Sequence, residues 1–167
     1  MKKLLFVFLM FVLPLAASAQ VRMGYFSYNA ILTSMTDYQL AKRSVDDLRL
    51  KYDAEMKRSE KEFNDKYEEF LEVQRDLVPS ILRKRQAELQ ELMEKNTAFR
   101  NDALRLLEQA ETDALAPVKR KLNEAVARVG KEHGYILVLN TDNDACPYID
   151  PELGEDATEA IKEAIKQ

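Results

Sequence analysis

The chain has 167 residues, with 25 Lys and Arg against 29 Asp and Glu, a length suited to one domain or an elongated two-part chain rather than a multidomain machine. Charged residues make up 32% of it while Gly numbers 4, Pro 5 and Trp none, a composition of long solvated helices that argues against a large antiparallel β fold. With 1 Cys and 1 His, neither a chain-internal disulfide nor a multi-Cys zinc cluster can form.

The first element reads as an export signal. Lys2 and Lys3 precede an apolar run from Leu4 to Leu15, which is followed by the small-residue site Ala17-Ser18-Ala19. The run is shorter than the ~20 residues a membrane anchor needs, so residues 1–19 are expected to be removed after Ala19 and the mature protein to be exported. Loss of Lys2 and Lys3 leaves 23 positive against 29 negative charges, a mature net of −6, which makes nucleic acid an improbable partner.

Arg22 to Phe26 reads as a strand and Asn29 to Ser34 as a short helix. Beyond them, Lys42 to Glu132 carries 20 positive and 20 negative residues and is rich in strong helix formers. Two long helices are expected, over residues 39–78 and 80–132. On the first, Val45, Leu48, Tyr52, Met56, Phe63, Tyr67, Phe70 and Leu77 follow steps mostly of three and four, with Ser59 filling the gap. Val45, Met56, Tyr67 and Val78 lie 11 apart, as do Leu92, Ala103, Ala114 and Ala125 on the second, so the helices should be nearly straight or slightly right-handed.

If the chain folds back at Pro79-Ser80, opposed residues have numbers summing to about 159, which sets Val45 against Ala114, Tyr52 against Leu107, Met56 against Ala103, Phe63 against Asn96 and Phe70 against Leu89. Pro79 disfavours the helical region for Val78, and Ser80 can cap the next helix. A break near Arg75-Asp76 would move the tip by a few residues. At ~1.5 Å per residue a helix of about 40 residues makes an arm ~60 Å long.

After the arm, Gly130 and Gly134 close the helix, with His133 as a helix-end residue. Tyr135 to Leu139 and Cys146 to Ile149 read as strands. Asp156 can cap a last helix, with Glu159 three residues on and Ile161 and Ile165 at helical spacing. Cys146 reads as a small buried hydrophobe, and nothing at motif spacing joins it to His133 as a catalytic dyad. Residues 133–167 hold 2 positive and 8 negative charges, so the acidity belongs to this end. The Ile136 to Leu139 run lacks polar alternation and expects cover on both faces. Three short strands and one amphipathic helix offer little core, so self-association through the head is the economical expectation.

The order of signal, Met23-Gly24-Tyr25-Phe26-Ser27 strand, long Lys/Glu-rich helices, Ala116-Pro117-Val118, Gly134 to Leu139 strand, and Tyr148-Ile149-Asp150-Pro151 followed by Asp156-Ala157-Thr158 resembles the Skp/OmpH family of periplasmic chaperones. The fold expected is mainly α with a small β head: an arm, residues 39–133 with its tip near 75–80, and a head, residues 20–38 and 134–167. The resemblance implies a homotrimer whose heads join in a β-barrel-like body and whose arms hold unfolded outer-membrane proteins soluble without ATP. Unlike the basic well-known members, this mature chain is acidic and its central stretch neutral.

Within that frame Tyr25, Phe26, Ile136, Val138, Tyr148 and Ile149 are expected to serve oligomerisation. Leu50 lies nearly opposite Leu48 and Tyr52, Leu71, Met93, Leu104 and Leu106 flank the seam, and all five are candidates for client contact. At the tip Arg75, Arg83, Lys84 and Arg85 outweigh Asp76 for a local net of +3, a candidate contact for anionic lipid, lipopolysaccharide or client. Pro117, inside a helix near the base of the arm, is a candidate pivot. No cofactor, metal or catalytic residue is expected, and an enzyme is the weakest reading. The competing function is a periplasmic coiled-coil spacer or adaptor bridging fixed partners.

Overall fold

A computed structural model describes residues 22–166. The export signal and its cleavage site lie outside the described residues. The elements in chain order are β1 (Met23–Phe26), α1 (Tyr28–Ser34), α2 (Thr36–Val73), α3 (Pro79–Glu132), β2 (Leu137–Asn140), a 3-10 turn (Asp142–Asp144), β3 (Gly154–Asp156) and α4 (Thr158–Lys166). The protein is mainly helical with one small sheet. Its contacts divide it into a head unit, residues 22–31 with 122–166, and a helical unit, residues 32–121.

In the head, β1 is the central strand of a three-stranded sheet ordered β2-β1-β3. Both pairings are parallel, with Met23 opposite Leu137 and Gly154, and Tyr25 opposite Leu139 and Asp156. Parallel neighbours need a long crossover between them, and the β1-to-β2 connection contains all of α1, α2 and α3. Gly24 lies where Tyr135 packs closely: a Cβ there would stand 2.8 Å from the ring. Ile31, Leu122, Val129 and Ile161 are the largest fully buried side chains and belong to this unit, as do the buried Phe26, Ala125, Tyr135 and Ala157. The head thus has a core of its own, completed by the last turns of α3.

The end of α3 shows why the chain turns where it does. Gly134 adopts φ +68, its N–H donates to Lys131 O at 3.3 Å, and the Tyr135 N–H donates to Gly130 O at 2.9 Å. This paired closure satisfies carbonyls that a helix end otherwise leaves open. The third strand differs from expectation. Cys146 to Ile149 forms no strand; Gly154–Asp156 takes that place beside β1. Positive φ at Asn143 and Asp144 and the Asp150 turn, where Gly154 N–H donates to Asp150 O at 2.8 Å, bend the intervening segment out of an extended path. Cys146 is half-buried rather than buried, with its Sγ 3.6 Å from Asn140 O.

At α4 the Thr158 N–H donates to Asp156 Oδ1 at 2.9 Å, so Asp156 caps the helix as its sequence position implies. The Thr158 hydroxyl first, and this backbone bond second, hold the Asp156 carboxyl below its ordinary pKa. At α1, Ser27 Oγ accepts from the Ala30 N–H at 3.1 Å and donates to Asp142 Oδ1 at 2.5 Å, while Asp142 Oδ2 accepts from the Asn29 N–H at 2.8 Å. These contacts tie the 3-10 turn to the start of α1.

In the helical unit, contacts between α2 and α3 descend along one helix as they ascend along the other. Asp37 pairs with Lys121 at 2.9 Å and Lys42 with Glu111 at 3.3 Å; the Tyr52 and Phe99 rings lie 6.1 Å apart, and Asn96 Nδ2 donates to Ser59 O at 3.1 Å. The helices therefore run antiparallel. These pairs sum to between 151 and 158, at or a few below the expected sum of about 159, and the Tyr52 ring meets Phe99; the expected partners Phe63 and Asn96 line one groove together, as Phe70 and Leu89 line another. The reversal lies earlier than Pro79-Ser80. Helix α2 stops at Val73, and α3 begins at Pro79 itself, not after it. Proline suits a first helical position because its missing N–H would be unpaired there anyway, and Val78 O accepts from the Ile81 and Leu82 N–H groups at 3.0 Å. The turn is centred near residue 76, the alternative break.

Candidate functional site

Burial along the seam of the helical unit is uneven. Val45, Ala103 and Leu107 are buried there, whereas between residues 46 and 102 no described residue is fully buried. Leu50 is 66% exposed and Leu104 58%, and Leu71, Met93 and Leu106 are also exposed. All five candidate client contacts therefore stand free of the seam. Met93 and Leu104 lie 11 residues apart on α3 and share a face at the period noted above.

Two grooves lie along this surface. One, of about 240 Å³, is bounded by Met56, Phe63, Met93 and Phe99, with Ser59 and Asn96 at its floor and Glu60 and Arg100 beside them. The other, of about 430 Å³, lies near the reversal between Phe70, Val73, Leu77, Ile81 and Leu89, with Lys66, Glu69, Arg85 and Glu88 around it. The three-and-four periodicity places Met56, Phe63 and Phe70 wholly on the seam. They are half-buried and line open grooves. The exposed Leu40, Val73, Val78 and Ile81 were also missed. Val73, Leu77 and Ile81 at steps of four were the available signal.

At the reversal Arg75, Arg83, Lys84 and Arg85 are exposed. Their field is weaker than their number implies. Glu88 sits 3.7 Å from Lys84 and 3.2 Å from Arg85, and counting it with Asp76 against the four cations leaves a net of +2, not +3. Exposed pairs of this kind contribute little stability but do compete for an external anion.

The head candidates separate into two groups. Phe26 is 4% exposed and belongs to the core of a single head, and Tyr25, Val138 and Ile149 are half-buried. Ile136 and Tyr148 are 65% and 77% exposed, and Leu137 and Leu153 are exposed as well. The cover expected for both faces of the Ile136 to Leu139 run is absent from one head alone. Strand β2 is an edge of the sheet, with one row of backbone groups unpaired by any described strand.

At the start of β1 the Arg22 guanidinium pairs with the Glu155 carboxylate of β3, lies 5.7 Å from the Tyr135 ring centroid, and donates to His133 O at 3.3 Å. His133 Nδ1 is 3.2 Å from the Tyr135 hydroxyl. Burial pushes the Tyr135 hydroxyl up to about 12, aided by the Glu155 carboxylate and opposed by Arg22. The Tyr135 phenol is thereby held neutral beside the Arg22–Glu155 pair. Pro117 is exposed within α3, which runs unbroken from Pro79 to Glu132.

Among the described residues no group of three His, Cys, Asp or Glu could hold a metal ion, and no helix is long and apolar enough to cross a membrane. What the arrangement offers is surface: apolar side chains and grooves along paired helices, and an open apolar sheet edge. A family model described as outer membrane protein (OmpH-like) matches residues 22–165. No curated protein matches the chain.

Proposed function

The chain belongs to the OmpH-like family, and on that premise we propose that it is an ATP-independent periplasmic holdase that encloses unfolded outer-membrane proteins and prevents their aggregation. It works as a homotrimer, with heads joined and helical arms around the client. The observation that carries this reading is the set of apolar side chains standing off the seam, Leu50, Leu71, Met93 and Leu104. Such side chains attract unfolded segments, and contacts that are weak singly gain strength by effective concentration when three arms share one client. Binding the unfolded but not the folded chain lowers the free concentration available to aggregate, by mass action and without nucleotide.

Trimerisation through the heads is supported by the open edge of β2 and by Ile136 and Tyr148, which a neighbouring head would cover. The tip cations are proposed to touch anionic lipid or lipopolysaccharide while a client is delivered, and Pro117 to act as the pivot of each arm. Export through residues 1–19 places the protein in the compartment its clients cross.

The test is light scattering of a denatured outer-membrane β-barrel diluted into buffer. The wild type suppresses aggregation at about one trimer per client. Leu50→Asp with Leu104→Asp weakens suppression while leaving the oligomer mass unchanged. A protein that leaves aggregation untouched is a spacer, and the holdase reading falls.

A further inference from the structure

The seam of the helical unit is not uniform along its length. On one side of its middle, Val45, Ala103 and Leu107 are buried, the Tyr52 and Phe99 rings meet across the helices, and ion pairs cross from α2 to α3 at Asp37–Lys121 and Lys42–Glu111. On the other side, among the described residues, nothing from 60 to 95 is fully buried. The ion pairs there join residues of one helix: Lys61–Asp65, Lys66–Glu62, Lys84–Glu88, Arg85–Glu88 and Lys95–Glu91. The aromatic contact follows the same rule, since Phe63 stacks on Tyr67 of its own helix at 5.9 Å.

The boundary between the two regimes is polar. Ser59 and Asn96 both occupy seam positions, and the Asn96 amide donates to the Ser59 carbonyl at 3.1 Å, beside the 240 Å³ groove. A polar residue inside an apolar helical seam costs packing and gives specificity of register. Here it also leaves a void where two apolar side chains would have locked the helices. Regions with few buried apolar contacts open locally at a free energy below that of the whole structure.

We propose that the Asn96–Ser59 bond is the latch of a two-stage hairpin: residues 36–56 and 100–121 stay zipped, while residues 59–96 open and reclose about the polar notch, uncovering the half-buried Phe63, Phe70 and Leu89 to an unfolded chain. The existence of the device rests on the seam alone; its use rests on the holdase reading. A grip that opens from its outer end adapts to clients of different girth without breaking the inner zip.

Hydrogen exchange read by mass spectrometry on the purified protein tests this. Amides of residues 62–94 are expected to exchange at least about tenfold faster than those of residues 40–56 and 103–118. Asn96→Ala should speed exchange in the outer half about three- to tenfold and leave the inner half unchanged, the scale of one hydrogen bond. Ser59→Leu with Asn96→Leu should slow the outer half by a similar factor. Equal protection of both halves in the wild type overturns the proposal, and so do variants that move both halves together or neither. The exchange gradient reads the device and the aggregation assay reads the function, so failure of one is distinguishable from failure of the other.

Discussion

Ile136→Asp is expected to break the assembly while sparing the single head. Burying an isoleucine fully is worth about 1.5–3 kcal/mol. In one head the side chain remains 65% exposed, so covering it in the proposed trimer would release roughly 1–2 kcal/mol per protomer. Over three copies that is about 3–6 kcal/mol, or roughly two to four orders of magnitude in the assembly constant. Aspartate removes this and adds the cost of burying a carboxylate against an apolar neighbour. The head core of Ile31, Leu122, Val129 and Ile161 is untouched, so helix content by circular dichroism should match the wild type. Sedimentation equilibrium should find the wild type as a trimer and the variant as a monomer at micromolar concentration. Trimers that survive both Ile136→Asp and Tyr148→Asp would refute the argument that the open β2 edge is the joint.

Four further outcomes follow from single contacts. The Ser27 hydroxyl first, and the Asn29 N–H second, hold the Asp142 carboxyl below its ordinary pKa, so its contribution is complete above the unfolded value of about 3.9 and fades as pH falls through the folded value. The Tm gap between the wild type and Asp142→Asn should therefore be open at pH 7 and close under acid; a gap that widens on acidification reverses the sign and sinks the assignment. Gly134→Ala places a Cβ at φ +68 where no atom crowds it, so its cost is backbone strain alone, about 1–2 kcal/mol by urea unfolding. Glu88→Gln frees Lys84 and Arg85 and should tighten binding to anionic phospholipid vesicles about fivefold, while Arg83→Glu weakens it; an affinity indifferent to both variants and to salt removes the tip from membrane contact. Pro117→Ala restores a backbone donor to α3 and should narrow the spread of arm positions seen by small-angle scattering; identical profiles with and without client would dismiss Pro117 as a pivot.

Much of the candidate site was legible because it depends on periodicity. Leu50, Leu71, Met93, Leu104 and Leu106 fall off a three-and-four pattern, and a residue off the seam of a two-helix pair has nothing else in that unit to cover it. The grooves were not legible, since their openness depends on how closely the helices approach, a property of the packed pair and not of either helix alone. Charge at the tip was legible as composition but not as field, because the partner of Lys84 and Arg85 is Glu88, a turn further along the helix.

Local chemistry in the chain was enough to determine the long helices, the antiparallel return, the glycine closure at Gly134 and the cap at Asp156, because each is decided by residues within a few positions of one another. Tertiary structure alone decided which segment became the third strand and in what register the helices met. Gly154–Asp156 wins its place beside β1 by backbone pairing with residues some 130 positions away, a choice that the more apolar Cys146 to Ile149 stretch would have taken on propensity. It likewise decided that Phe26 faces inward and Ile136 outward, since burial is a property of what surrounds a side chain and not of the side chain itself.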